Sequence, residues 1–407
     1  MRLRIIASIA IALLAAPAAA QLGLLGPGDT LGRVTGSVEG LVNQAVSTSR
    51  VTIDALAAAR IDRLTRLVRN NRQTIEFDAD AQPARRGELL LEGADQAAIE
   101  RTEQAGFTVI DRENFDDLGI SVVRLAVPSG VSLARAEKRL HTLLPDATIS
   151  ADQLYFASGR PASVSTGQRS TPGSALSVPI GVIDGAPGAS ISVKATRGFA
   201  RGAPFASDHG SAVVSLLRQT GATDISVADV YGTDPAGGNA LAIVRALGWL
   251  LSRDVRVISI SLVGPRNPVL ARAIGAMQAR GTVIVAAVGN DGPAAPPSFP
   301  ASYPGVLAVT AVDGRDRALI EAGRALHLDY AAPGADMLAA NAAGQWRSVR
   351  GTSFATPLVA ARAAQALSDR GAQWRAALDG EARDLGRKGP DPVFGRGLIC
   401  GLCRRTR

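Results

Sequence analysis

Asp184, His209, Asn290 and Ser353 are the residues of this 407-residue chain whose types, brought together, could do covalent chemistry. A serine hydroxyl attacks when an imidazole takes its proton. The imidazole needs a carboxylate to hold its tautomer, and the oxyanion that forms needs hydrogen-bond donors. Each of the four stands at an expected element boundary. Asp184 ends the apolar run VPIGVID, and Asn290 ends TVIVAAVGN with Gly289 beside it to let the backbone turn. His209 opens an expected helix in SDHGSAVVSLL, where Gly210 allows close approach. Ser353 lies in GTSFATPLVAARA, between Gly351 and Pro357, the latter suiting an early helical turn. Singly, such residues are usually caps or turn formers. Their joint occurrence points to acyl transfer.

The elements that must position them follow from the hydrophobic rhythm. From residue 178 onward, apolar runs such as VPIGVID, ISVADVY, VRVISISL and TVIVAAVGN alternate with helical segments such as GGNALAIVRALGWLL and NPVLARAIGAMQARG. That order predicts an α/β domain over 178–399, a mostly parallel sheet flanked by helices, with chemistry at the carboxyl ends of its strands. Ahead of it, residues 86–157 read as β-α-β-β-α-β, a small α+β ferredoxin-like sandwich, with Asp95 and Ser132 as helix caps and His141 near a helix end. Residues 158–177 are rich in Ser, Gly and Pro and read as a linker carrying Arg160 and Arg169. Residues 21–85 read as a helical N-terminal segment, with periodicity from about Val38 to Asn70 that includes Ile61, Leu64, Leu67 and Val68.

Composition removes several other classes. With 46% hydrophobic and 20% charged residues the chain is too apolar for a disordered tail, and its length suits one large domain and one smaller. Two cysteines cannot build a disulfide-rich scaffold or a Cys-based zinc site, and three histidines leave little for a metal centre. The net charge of +8 is nearly all scattered arginine without aromatic interleaving, so no nucleic-acid partner is expected. Arg2 and Arg4, the apolar run Ile5 to Ala16, and Ala18 to Ala20 make residues 1–20 an expected signal peptide. The run is short for a membrane anchor. The expectation is therefore an exported protein, secreted or periplasmic, with no transmembrane anchor after signal cleavage. Cys400 and Cys403 open a basic tail over 400–407, and an oxidising compartment favours a local disulfide over free thiols or a redox pair.

The segments quoted resemble the subtilisin-like serine proteases. The resemblance is strong at GTSFATPLVA, FPASYPGVLAVTAV, AAVGNDG, ISISLVGP and DYAAPG, and fair at VIDGAP and DHGSAVVSLL. It spans about residues 178–360 in the family's order Asp, His, Asn, Ser, and the closing GRGLICGL looks like the family's glycine-containing tail. It implies Ser353 as nucleophile, His209 as general base and then acid, Asp184 as orienter, and Asn290 with Ser353 in the oxyanion hole. It further implies that Ser261, Leu262, Val263, Gly264, Ala287 and Gly289 line a cleft for extended protein or peptide substrates. By the same resemblance the protein is an endopeptidase made as a zymogen, residues 86–157 are its own inhibitory propeptide, and no cofactor is required. A structural calcium stays open, although no D-x-D-x-D loop is present. Two departures matter. Gly185 and Ala186 replace a hydroxyl residue and a glycine after the aspartate, so Gly185→Ser is expected to raise activity. Val263 replaces a small residue of the cleft strand, which would narrow the pocket for the side chain just before the cut bond. The competing readings are a catalytically silent peptide binder and a secreted interaction protein built around its N-terminal arm.

Overall fold

Three consecutive leucines in a strand need apolar cover on both faces, because successive side chains point to opposite sides. The computed structural model describes residues 52–161 and 175–403 and supplies that cover. The expected signal peptide, the entry up to residue 51, most of the expected linker and the end of the basic tail lie outside the described residues. The chain divides into two units, Met1–Ile61 and Asp62–Arg407. Of the first, the described residues are helical, part of helix α1 over 52–70.

The second unit begins with the small sandwich. Its strands are β1 (Ile75–Phe77), β2 (Pro83–Glu92), β3 (Thr108–Phe115), β4 (Ile120–Ala126) and β5 (Thr148–Gln153), with helices α2 (Gln96–Gln104) and α3 (Leu133–Leu143). The antiparallel order is β3-β4-β2, with β1 and β5 sharing the other side of β2 through pairs such as Ile75↔Arg85 and Leu89↔Ala151. Leu89 and Leu91 pack with Ile99 of α2 and Leu140 of α3. Leu90, between them, packs instead into a core of the larger domain. Asp95 caps α2 as expected, accepting from Ala98 N–H at 2.7 Å. Ser132 occupies the cap position of α3 without a capping hydrogen bond; Glu76 accepts the Leu133 N–H instead.

The larger domain is a seven-stranded sheet in the order β15-β14-β13-β11-β8-β10-β9, parallel throughout. Its strands are β8 (Ile180–Asp184), β9 (Ala195–Gly198), β10 (Ile225–Asp229), β11 (Val257–Ile260), β13 (Val283–Ala287), β14 (Leu307–Val312) and β15 (Tyr330–Pro333). Val257, Val283 and Val285 face helices α4 (Asp208–Gln219) and α7 (Thr352–Arg370). Ile258, Ile260, Ile284 and Ala286 face α5 (Ala240–Leu251) and α6 (Pro268–Ala279). Cover on both faces is why these strands read as unbroken apolar runs.

The sandwich docks on the amino-terminal ends of α5 and α6. Asp152 accepts Leu241 N–H at 2.9 Å, and Asn267 donates its side-chain amide to Ser150, Ala151 and Gln153. Arg245 pairs with Glu113, and Arg85 with Asp234 at 2.8 Å.

Just before the expected linker and at the described residues of its two ends, the chain is paired with distant segments. β6 (Phe156–Ala157) pairs antiparallel with β12 (Leu262–Val263). β7 (Arg160–Pro161) pairs with β17 (Trp346–Arg350), whose hairpin partner is β16 (Met337–Ala340). Leu176 bridges to Ala222. Cys400 and Cys403 are joined in a disulfide. Among the described residues no helix is long and apolar enough to cross a membrane, and no cluster of three or more His, Cys, Asp or Glu could hold a metal ion.

Candidate active site

Asp184 is the last residue of β8, so its side chain leaves the sheet at a carboxyl end and is 1% exposed. Both carboxylate oxygens lie 2.9 Å from His209 Nδ1, and Oδ1 also accepts Gly185 N–H at 2.8 Å. His209 is the second residue of α4, a helix opened by Ser207, whose hydroxyl accepts Gly210 N–H at 2.9 Å. Gly210 is required there: a Cβ on it would lie 2.0 Å from the Gly185 carbonyl oxygen. The same packing overturns the expectation for Gly185→Ser. A Cβ at 185 would lie 2.4 Å from Ser207 Oγ and 2.9 Å from Ser207 Cβ, so a side chain there requires the Ser207 cap to move.

Ser353 is the second residue of α7 and fully buried, with Phe354 next to it placing its ring 5.5 Å from that of His209. Pro357 lies inside this helix rather than in its first turn. Lacking an N–H, it cannot bond the carbonyl four residues back, and that Ser353 carbonyl accepts Ser261 Oγ at 2.9 Å instead. Ser353 Oγ makes one long contact, 3.5 Å to the Ser261 carbonyl, and His209 Nε2 is buried without a hydrogen-bond partner. The structure therefore brings aspartate, histidine and serine to one place with the first link closed and the second open. Such bonds are often loose before a reacting complex forms.

The chain itself runs through the cleft. Ala157 pairs with Leu262 and Phe156 with Val263. Ser158 N–H donates to the Ser261 carbonyl at 3.1 Å, and Ser353 N–H donates to the Ser158 carbonyl at 3.0 Å. Asn290 Nδ2 donates to Ser158 Oγ at 3.1 Å, while Asn290 Oδ1 accepts Thr352 N–H at 3.0 Å. Gly351, at φ +143°, packs directly on this segment: a Cβ on it would be 2.9 Å from Gly159 Cα. Ser261, Leu262 and Val263 lie alongside this segment, and Gly264 packs against Tyr155. Gly289 braces the site through Thr352, whose hydroxyl accepts Gly289 N–H at 3.1 Å. Ala287 stays inside the sheet, wholly buried opposite Val309.

Sequence reasoning passed over Thr352, Ser207 and Tyr231. Thr352 Oγ1 lies 3.0 Å from Ser158 Oγ, and it sits inside the quoted serine motif, a signal that was available. Tyr155 is fully buried; its N–H donates to the Gly238 carbonyl at 2.8 Å and its hydroxyl to the Pro265 carbonyl at 2.7 Å. The Tyr231 hydroxyl donates to the Tyr155 carbonyl at 3.1 Å. Burial holds both phenols well above their usual range, so both act as neutral donors. Arg63 of α1 also pairs with Asp291, the residue after Asn290, at 2.8 Å.

Comparison with known proteins places the chain among relatives of known kind. The Subtilase family (Peptidase_S8) matches residues 199–397, a span that holds His209, Asn290 and Ser353 and begins after Asp184. Subtilisin amylosacchariticus of Bacillus subtilis subsp. amylosacchariticus is 30% identical over 225 residues, 52% of this chain and 58% of that protein. Subtilisin DY of Bacillus licheniformis is 31% identical over 245 residues, 54% of this chain and 88% of that protein. The chain thus spans little more than half the length of the first of these relatives. Fervidolysin from Fervidobacterium pennivorans, a keratinolytic enzyme related to subtilisin, is similar in fold, with TM-score 0.65 at 16% identity. That likeness covers 82% of this chain and 63% of fervidolysin. The chain belongs to the subtilase family.

Proposed function

We propose that the protein is an exported serine endopeptidase, made as a zymogen, that hydrolyses peptide bonds through an acyl-enzyme. The observation that carries this reading is the chain's own strand in the cleft, with the Ser158 carbonyl on Ser353 N–H and the Asp184–His209 pair alongside. In this reading His209 Nε2 takes the proton of Ser353 Oγ as the oxygen attacks the carbonyl carbon. Ser353 N–H and Asn290 Nδ2 hold the oxyanion. His209 then protonates the departing amine, and a water molecule, activated the same way, releases the acid. Asp184 keeps His209 in the tautomer that leaves Nε2 free. No cofactor is needed for these steps.

Residues 86–157 act as an inhibitory propeptide that docks on α5 and α6 and lays its last strand along β12, a case of strand addition. The free Nε2 of His209 is the observation that favours a second reading, a silent peptide binder. A fluorophosphonate probe on the purified protein separates the two. Labelling that disappears in Ser353→Ala supports the enzyme, and a wild-type protein that stays unlabelled after residues 86–157 have been removed refutes it.

A further inference from the structure

Resting on the catalytic reading above, we infer that the bond cut in maturation is Ser158–Gly159, and that the enzyme selects a side chain no larger than serine before the bond and glycine after it. The register comes first. Strand pairing holds the chain on both sides, Phe156–Ala157 on β12 and Arg160–Pro161 on β17, leaving Ser158 and Gly159 between them at Ser353. The Ser158 carbonyl is the one on Ser353 N–H, and a Cβ added to Gly159 would lie 3.1 Å from Ser353 Oγ. Tyr155 locks this register. Its ring lies flat on Gly264, where a Cβ would sit 2.6 Å from Cδ1, and its hydroxyl ends on the Pro265 carbonyl.

Size selection before the bond follows from what surrounds Ser158. The residue is 3% exposed and its hydroxyl lies between Asn290 Nδ2 and Thr352 Oγ1, while Val263 stands on the facing strand opposite Phe156, two residues before it. Val263 Cγ1 and Cγ2 lie 3.5 and 3.6 Å from where a Gly289 Cβ would be, so its branched side chain spans from the cleft strand to the Gly289 turn. Selection after the bond follows from Phe354: a Cβ on Gly159 would be 2.7 Å from its ring. The cleavage adds water across one amide, giving the Ser158 carboxylate and the Gly159 amine.

The test uses the wild-type secreted chain. Its new amino terminus is sequenced, and kcat/KM is measured on the peptide Tyr-Phe-Ala-Ser-Gly-Arg-Pro and on versions with Ala or Leu for Ser and Ala for Gly. The inference expects an amino terminus at Gly159, similar kcat/KM for Ser and Ala, and losses of at least about tenfold for Leu before the bond or Ala after it. Val263→Gly enzyme should recover the Leu peptide. An amino terminus elsewhere without later trimming, or an active enzyme indifferent to Leu, overturns the inference alone. A protein that neither labels with fluorophosphonate nor cuts itself overturns the catalytic reading, and this one with it.

Discussion

Ser158→Ala should make the precursor process itself faster. In the proposed mechanism the Asn290 amide holds the developing oxyanion, yet in the uncut chain it donates to the Ser158 hydroxyl at 3.1 Å. On this reasoning the amide gives up that bond when it turns onto the carbonyl oxygen, rather than serving the oxygen with its second N–H. A neutral hydrogen bond of this kind is worth about 0.5–1.5 kcal/mol net, and about 1.36 kcal/mol is tenfold in rate. Removing it from the ground state should therefore speed single-turnover self-cleavage roughly two- to thirteenfold. The effect belongs to the pair, so in an Asn290→Ala background the Ser158→Ala acceleration should vanish. Refolding the four precursors of this cycle and following the loss of full-length chain on a gel gives the rates directly. With separate peptides the same change should raise kcat and KM together and leave kcat/KM nearly unchanged, since it removes ground-state binding alone. Equal or slower processing by Ser158→Ala in the wild-type background, or an acceleration that persists without Asn290, refutes the reasoning.

Further tests follow from other contacts. Asn290→Ala should lower kcat by about 10²–10³ with KM little changed on a short amide substrate; an unchanged kcat would make Asn290 a turn residue only. Gly185→Ser should lower both activity and Tm, because its Cβ would meet Ser207 at 2.4 Å; a more active variant would show that the loop yields freely. Burial pushes the carboxyl of Asp152 up to about 6 from an ordinary 3.8, against the Leu241 N–H and the Arg85 charge that favour its ionised form. A carboxyl whose pKa is raised by folding stabilises most when protonated, so its contribution is lost as pH rises from about 4 through 6. Thermal melts of the Ser353→Ala precursor should show Tm falling across that window, and Asp152→Asn should flatten the fall while keeping an acceptor for Leu241. An identical pH profile in the two proteins would discount Asp152.

What could be read in advance divides along a physical line. Apolar runs such as VPIGVID declare themselves because a parallel strand covered on both faces has no polar side, and Asp184 stands out by ending one. The β-α-β-β-α-β order was legible for a similar reason, through caps such as Asp95 and helical spacing around Ile99. Contacts between distant residues left no local mark. Ser158 meets Thr352 across 194 positions, and the segment holding it has the composition of a loop. The fate of Gly185 depended on the position of Ser207, which no neighbour in sequence specifies. Leu90 belongs to a core shared with the larger domain, a fact invisible to any reading that treats the sandwich alone.

The strand held on both sides of Ser353 has a kinetic consequence. Once the Ser158–Gly159 bond is broken, the new carboxylate and the new amine are still pinned, one by β12 and the other by β17. Their local concentration toward each other stays high, as for any two ends tethered to one scaffold. Before water reaches it, the acyl-enzyme faces the same retained amine, which can re-form the amide, and while both ends stay paired the nicked protein should be as blocked as the intact one. Scission and release become separate clocks. A newly made population should show full nicking on a gel well before it turns over an added substrate, with a lag set by how fast the two ends peel away.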